Sequence, residues 1–175
     1  MHASSMALMG KLLDMLPAQD GGKVLDCGSA VAGDGLQVSY RDLCNKHNLA
    51  YTGFDLEPGR NVDAVGDIYT LQALAYAKAF DLVISGQLLE HLTFPLLAAQ
   101  RMKAAVKTGG HIILVAPWEY GVHRHPIDCW RVLPDGMKFL LEGFVNIEVG
   151  ISKKDCWGIA RRPEGYKEPW KLSRS

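Results

Sequence analysis

The residues best suited to chemistry lie close together in one segment, 118–131, with the sequence WEYGVHRHPIDCWR. It contains two imidazoles, His123 and His125, and the carboxylate of Asp128. A neutral imidazole with a pKa of about 6.5 can take a proton from a hydroxyl or ammonium group at neutral pH. A nearby carboxylate can orient the imidazole ring. The segment predicts a general base. His125 is favoured, because Pro126 stiffens the backbone beside it and Asp128 can reach back across a turn.

His123 is nearly as good a candidate, and His91 is the third. The same segment also has a structural interpretation, in which the Asp128 carboxylate pairs with an arginine, Arg131 or Arg124, and Trp130 anchors the loop to the sheet. Residue types and spacing leave both interpretations open at this point.

A second set of polar residues follows three predicted strands. Asp26 and Gly28 come at the end of the first strand and Asp55 at the end of the second, and Asp67 and Ile68 follow the third. Open α/β sheets bind ligands outside the carboxyl ends of their strands. Asp55 is placed to accept both hydroxyls of a ribose. Asp67 can accept from an adenine amino group while Ile68 packs on the ring. Together they predict an adenosine-containing ligand.

The elements that must position these residues alternate between strand and helix. Apolar periodicity predicts helices at 3–16, 34–48, 69–78, 95–107 and 134–142, and strands at 23–27, 51–55, 63–65, 80–85, 111–116, 144–151 and 155–160. Such alternation is typical of a parallel sheet with helices on both faces. The last two strands are joined by only a few residues, so they must pair antiparallel. The expected fold is a Rossmann-like α/β fold: a doubly wound, mostly parallel seven-stranded sheet with a C-terminal antiparallel hairpin.

Composition and charge narrow the class of protein. The chain has 175 residues, of which 48% are hydrophobic, a size and content that predict a single globular domain over 1–162 followed by a basic, flexible tail over 163–175. Nineteen basic residues balance nineteen acidic ones, which disfavours nucleic acid as a partner. No secretory signal and no apolar stretch of membrane length is seen, so we expect a cytoplasmic protein without membrane contact. Oligomeric state is left open.

Several segments together resemble the class I S-adenosylmethionine-dependent methyltransferases, in particular their type 11-like branch. Residues 24–28 look like the first motif of that family. Residues 80–85, running into 88–92, resemble its fourth-strand region, and 106–113 resemble the turn before its fifth strand. The resemblance covers roughly residues 20–160.

This resemblance implies S-adenosyl-L-methionine as cofactor. Asp26 and the Gly28 backbone would hold the amino and carboxylate groups of its methionine part, and Ser85, Gly86 and Gln87 would lie beside the sulfonium. The full set of cofactor-binding residues implied is Asp26, Gly28, Ser29, Asp55, Leu56, Asp67, Ile68, Ser85, Gly86 and Gln87. One departure is that alanines, Ala30 and Ala32, stand where the family usually has glycine, so Gly33 and Gly35 are expected to take over in a rerouted loop.

The acceptor is suggested by a further resemblance. Residues 126–131 carry a Pro-x-Asp-x-Trp-Arg core, followed by a Pro-x-Gly helix start at 134–136, as in methyltransferases encoded among glycan-assembly genes. This implies methylation of oxygen or nitrogen on a small-molecule or glycan-type acceptor. Two alternatives remain. The altered glycine loop suggests a non-catalytic cofactor-binding partner module, and the basic C-terminal part suggests a nucleic-acid methyltransferase.

Glu90 and His91, with a later histidine, are similar to the magnesium site of small-RNA 2′-O-methyltransferases and some quinone-biosynthesis O-methyltransferases. The first glutamate of that pattern is Gln87 here. Loss of an anionic oxygen weakens a site for a hard cation. We therefore expect no metal, and would assign any that is present to Glu90, His91 and either His123 or His125.

Overall fold

Strands and helices alternate along most of the chain, and the last two strands follow one another directly. A computed structural model describes residues 3–17, 20–31, 38–74 and 76–167. The elements within them are α1 (Ala3–Asp14), β1 (Lys23–Cys27), α2 (Tyr40–Lys46), β2 (Ala50–Asp55), β3 (Ala64–Val65), β4 (Phe80–Gly86), α3 (Pro95–Ala105), β5 (Val106–Pro117), α4 (Pro134–Leu140), β6 (Val145–Ser152) and β7 (Asp155–Arg161). There are also two 3₁₀ helices, over Ile68–Leu74 and Leu89–His91. The first of them stands where the sequence predicts a longer helix over 69–78.

The seven strands form one sheet in the order β3-β2-β1-β4-β5-β7-β6. The pairs β1–β2, β1–β4, β2–β3 and β4–β5 are parallel, whereas β7 is antiparallel to both β5 and β6. The predicted mostly parallel sheet with a C-terminal antiparallel hairpin is confirmed. Because the strand order reverses beside β1, the carboxyl ends of β1 and β4 flank the crevice in which such sheets bind ligands.

Apolar side chains cover both faces of the sheet, because successive residues of a strand point to opposite sides. On one face Leu25 of β1 and Ile112 of β5 belong to the same buried cluster as Met102 of α3. On the other face Val24 of β1 shares a cluster with Met9 of α1. Helices therefore lie on both faces, as predicted, and the packed sheet is a rigid support for residues at its strand ends.

The second helix is shorter than the predicted span of 34–48. It begins at Tyr40, and Ser39 caps it: the Ser39 hydroxyl accepts from the Asp42 amide, and the Asp42 carboxylate accepts from the Ser39 amide at 2.7 Å. This reciprocal pair satisfies two amides of the first turn, so it defines the start of the helix. Residues 34–37 lie outside the described part of the chain.

The glycine pair expected as a turn before the fifth strand lies inside that strand. β5 already begins at Val106, which pairs with Phe80, and the register shifts just after this pair. Gly109 has a φ of +81°, and a Cβ on Gly110 would lie 2.6 Å from the Asp81 carbonyl oxygen. The glycines thus permit a bulge within a continuous strand, and the predicted strand start at 111 is wrong.

Residues on both sides of the predicted domain end at 162 pack against the rest of the chain. The Arg162 guanidinium is buried and donates to the Lys103 carbonyl at 2.8 Å. The Tyr166 ring meets the Phe144 ring edge-on, with 5.0 Å between centroids. Residues 168–175 of the predicted tail lie outside the described residues, so its flexibility stays a prediction. Among the described residues, no helix has both the length and the apolar character needed to span a membrane.

Candidate cofactor and acceptor site

The carboxylate of Asp26, at the end of β1, is fully buried. Its Oδ2 accepts a 2.6 Å hydrogen bond from the Tyr51 hydroxyl, while Oδ1 has no partner among the described residues. Burial raises the pKa of Asp26 to about 7, the Tyr51 hydrogen bond opposes this rise, and the charge of Asp55 adds to it. A buried carboxylate with one open oxygen is suited to bind a cationic ligand group, since buried polar atoms are normally satisfied.

The turn after β1 is held by the neighbouring strand. Gly28 has a φ of +79°, and a Cβ there would lie 3.0 Å from the Leu88 Cβ. The amides of Gly28 and Ser29 both donate to the Phe54 carbonyl, at 2.9 and 3.2 Å. Gly28 therefore shapes the path of the chain, and its amide is already used within the fold. The loop containing Gly33 and Gly35 lies outside the described residues.

Asp55 connects the loops after β1 and β2. Its Oδ2 accepts from the Ala30 amide at 2.8 Å, and its Oδ1 accepts from the Leu56 amide at 2.7 Å. Each carboxylate oxygen has a second acceptor position, so Asp55 can still receive two ribose hydroxyls. The Leu56 side chain is exposed beside it.

The residues after β3 have local structural roles. The exposed Asp67 accepts the Tyr69 amide at 2.8 Å and caps the 3₁₀ helix. Ile68 is buried in the core with only 8% exposure. Contact of these two residues with adenine stays a prediction.

The residues at the end of β4 are tied to the strands and helix around them. The Ser85 hydroxyl donates to the Cys27 carbonyl at 2.8 Å. A Cβ on Gly86 would lie 2.2 Å from the Tyr40 hydroxyl oxygen, so no larger residue fits there. Gln87 donates from Nε2 to Asp155 at 2.9 Å and has a φ of 60°. The tyrosines, Tyr40 and Tyr51, had no local sequence signal, because their partners are distant in the chain.

We expect Asp26→Asn to stabilise the protein without added cofactor, increasingly so as pH rises. With a pKa of about 7 when folded and 3.8 ordinarily, Asp26 keeps a proton in the folded state that the unfolded chain loses. The free energy of unfolding therefore falls between about pH 4 and pH 7. The neutral amide removes this cost, at most about 4 kcal/mol above pH 7.

Thermal melting at pH 5 and pH 8 measures this effect. The variant should melt several degrees higher at pH 8 and show a smaller gain at pH 5. It should also bind S-adenosylhomocysteine more weakly. An equal change in Tm at both pH values would contradict the assigned burial of charge.

The loop over residues 118–131, called here the acceptor-side loop because the sequence predicts that the acceptor binds there, is braced by Asp128. Its carboxylate accepts two hydrogen bonds from Arg131, at 2.6 and 2.8 Å, and one from the His123 amide at 2.7 Å. The Arg131 guanidinium holds the pKa of Asp128 well below its usual range. The Trp130 indole donates to the Leu92 carbonyl at 2.7 Å. These contacts match the structural interpretation of the loop.

Asp128 orients His123, where the sequence suggested His125. Its Oδ2 lies 3.3 Å from the His123 Nδ1. His125 is exposed, and its backbone amide donates to the Ile127 carbonyl at 3.3 Å. The His91 ring stands next to both imidazoles, with centroid distances of 5.1 Å to His123 and 6.2 Å to His125. The structure thus assembles the three candidate bases in one cluster.

Glu90 lies beneath this cluster and is completely buried. Its Oε1 is 3.7 Å from the His91 Nε2 and 4.0 Å from the His123 Nε2. Neither oxygen has a hydrogen-bond partner among the described residues, and burial raises the pKa of Glu90 to about 7. The sequence named Glu90 as a possible metal ligand and as part of the acceptor pocket, and its burial is what the structure adds.

Known proteins share this arrangement of strands. A family model described as a methyltransferase domain matches residues 3–139. No curated protein matches the chain. Among solved structures, a SAM dependent methyltransferase from Archaeoglobus fulgidus has a TM-score of 0.68 at 17% identity, covering 91% of this chain and 95% of that one.

Two further solved structures are larger than this chain. They are Haemonchus contortus phosphoethanolamine N-methyltransferase 2, at 15% identity, and the CurJ carbon methyltransferase, at 13%. Both have a TM-score of 0.65 and match 91% of this chain, which spans only 53% of their length. At these identities the similarity shows the fold.

Proposed function

This chain belongs to the methyltransferase domain family, and we propose that it transfers a methyl group from S-adenosyl-L-methionine to oxygen or nitrogen of a small-molecule or glycan-type acceptor. The observation that carries the proposal is the open Oδ1 of the buried Asp26, at the strand end where the sheet order reverses. An ammonium group such as that of a methionine moiety is the natural partner for it.

The residues present fit the cofactor. Asp26 would bind its amino group and Asp55, whose oxygens keep free acceptor positions, its ribose. Gly86 lets the Tyr40 hydroxyl pack against the end of β4, where a Cβ would collide with it. When bound, the cofactor supplies a methyl carbon activated by a positively charged sulfur.

The protein's own contribution to this chemistry is alignment and proton removal. Methyl transfer between well-oriented groups gains most of its rate from positioning and from exclusion of water. A hydroxyl or ammonium acceptor must also lose a proton, which we assign to an imidazole nitrogen of His125. His123, His91 and Asp128 complete the acceptor side, with Asp128 as a positioning residue for His123.

The acceptor class is inferred from the sequence of the loop over residues 118–131. The Pro-x-Asp-x-Trp-Arg core supports a glycan-type acceptor, and its Asp128, Trp130 and Arg131 are all engaged in holding the loop. The solved neighbours named above include a carbon methyltransferase and an N-methyltransferase. Since one fold serves several acceptor atoms, substrate identity depends on the loop rather than on the sheet.

Calorimetry with S-adenosylhomocysteine, followed by methyl transfer to a panel of sugars, amines and short RNA, tests the proposal. We expect saturable binding of S-adenosylhomocysteine, no binding of NADH, and transfer to a sugar or amine. Binding of NADH alone would overturn the methyltransferase assignment. Cofactor binding without transfer would favour the non-catalytic module, and transfer to RNA alone the nucleic-acid alternative.

A further inference from the structure

The side chains of Glu90, His91 and His123 form one cluster, and each directs an electron-rich atom toward the others. Metal-ligating atoms of Glu90, His91 and His123 all lie within 4.8 Å of one another. Glu90 is fully buried, and neither of its oxygens has a hydrogen-bond partner in the described ranges. A buried carboxylate without a partner is costly, so its presence calls for a positive charge close by.

In both His91 and His123 the Nδ1 atom faces hydrogen-bond acceptors. The Nε2 atom of each ring faces the Glu90 carboxylate. The His91 Nδ1 is 2.6 Å from the Ile127 carbonyl oxygen, to which it must donate. The His123 Nδ1 lies 3.2 Å from the Gly121 carbonyl oxygen and 3.3 Å from the Asp128 carboxylate, both acceptors. In a neutral ring the Nδ1 proton leaves a lone pair on Nε2. Donation of the far N–H to a carbonyl or carboxylate is also the usual arrangement around a metal-bound histidine.

From this geometry we propose that Glu90, His91 and His123 bind one divalent transition-metal ion of the Zn²⁺ class. The Nε2 atoms are 3.7 and 4.0 Å from the Glu90 Oε1. A point equidistant from three atoms so spaced lies about 2.5 Å from each, and shifts of a few tenths of an ångström give the ~2.0–2.2 Å of zinc–ligand bonds.

The donor types decide between classes of metal. Two imidazoles with one carboxylate suit Zn²⁺ and other transition metals, whereas Mg²⁺ prefers oxygen ligands. Gln87, which donates from Nε2 to Asp155, has no anionic oxygen to strengthen a site for a hard cation. The expectation from sequence that no metal binds considered only a hard cation, and it did not include the burial of Glu90.

Three protein ligands leave a coordination position for a water or an acceptor oxygen. In this role, which rests on the proposed function, the ion would bind the acceptor and lower the pKa of its hydroxyl. His125 then remains as the imidazole that accepts the proton. Binding of the ion itself depends on neither the cofactor nor the acceptor.

Direct metal binding tests the proposal. Protein stripped with chelator and kept reduced is titrated with Zn²⁺ by calorimetry and with Co²⁺ by visible absorption. We expect one ion per chain. Because even the loss of an outer partner lowers metal affinity about 10–100-fold, Glu90→Gln and His123→Ala should each weaken binding by ~100-fold or more. His47→Ala, a histidine beside Asp14, should change nothing.

The near-isosteric Glu90→Gln variant guards against misfolding, and its circular dichroism should equal that of the wild type. Absence of Zn²⁺ and Co²⁺ binding in the wild type would overturn the proposal. Unchanged binding in Glu90→Gln, or tighter binding of Mg²⁺ than of Zn²⁺, would do the same. Metal binding without S-adenosylhomocysteine binding would support this site while overturning the proposed function.

Discussion

Replacement of His125 by alanine is expected to lower turnover by about 10²–10⁴-fold while affinity for S-adenosylhomocysteine stays near that of the wild type. His125 is exposed on the acceptor-side loop, and its contacts are with that loop and the His91 ring. The Asp26 and Asp55 contacts do not involve it. Its loss therefore removes the proton acceptor and leaves the cofactor pocket intact.

The measurement is turnover of the panel acceptor with the highest rate, made alongside cofactor affinity and Tm. His47→Ala serves as the matched imidazole control. If the loop is only structural, His125→Ala should lower Tm and cofactor affinity together. Full turnover in a stable His125→Ala protein would remove His125 from the mechanism. Retention of Zn²⁺ by this variant would separate its role from that of the proposed ligands.

Asp55→Ala is expected to weaken binding of S-adenosylhomocysteine about 10- to 150-fold. Hydrogen bonds to a charged acceptor contribute about 1.5–3 kcal/mol, and the variant leaves two ribose hydroxyls without theirs. The carboxylate also holds the Ala30 and Leu56 amides, so part of the loss could come from the loop. A ligand lacking the ribose 2′-hydroxyl separates the two effects.

Calorimetry with both ligands on both proteins forms a double-mutant cycle. If Asp55 binds the ribose, its replacement should cost the deoxy ligand, which keeps one of the two hydroxyls, less than the complete one. Glu57→Ala, an exposed acid two residues away, should bind both ligands as the wild type does. Equal losses for the two ligands would show that Asp55 acts only through the loop.

The sheet is the part of the fold that follows most directly from the sequence. Apolar runs such as Ile112 to Val115 identify strands buried on both faces, and the short connection between β6 and β7 allows only antiparallel pairing. Both inferences use neighbouring residues and general stereochemistry, so they hold without coordinates. The positions of Asp26 and Asp55 at strand ends follow directly, because parallel strands place their carboxyl ends at one edge of a sheet.

The sequence predicts the start of β5 and of α2 at the wrong residue. Gly109 and Gly110 have the composition of a turn, yet pairing of Val106 with Phe80 makes them a bulge within β5. Ser39 and Asp42 form a capping box that was present in the sequence, but helical periodicity extended the prediction past it. In each case an interaction between two backbones or side chains overrides the average preference of the segment.

The chemistry of the site depended on tertiary structure. That Asp128 contacts His123 rather than His125, and that Tyr51 donates to Asp26, follows from how a loop and two strands pack. The sequence alone determined which residue types reach the ligand edge of the sheet, since strand periodicity and chain order set that. Only the fold decided that Glu90 is buried beneath two imidazoles, because its environment is made by a loop more than thirty residues away, and no local pattern encodes which distant groups will surround a side chain.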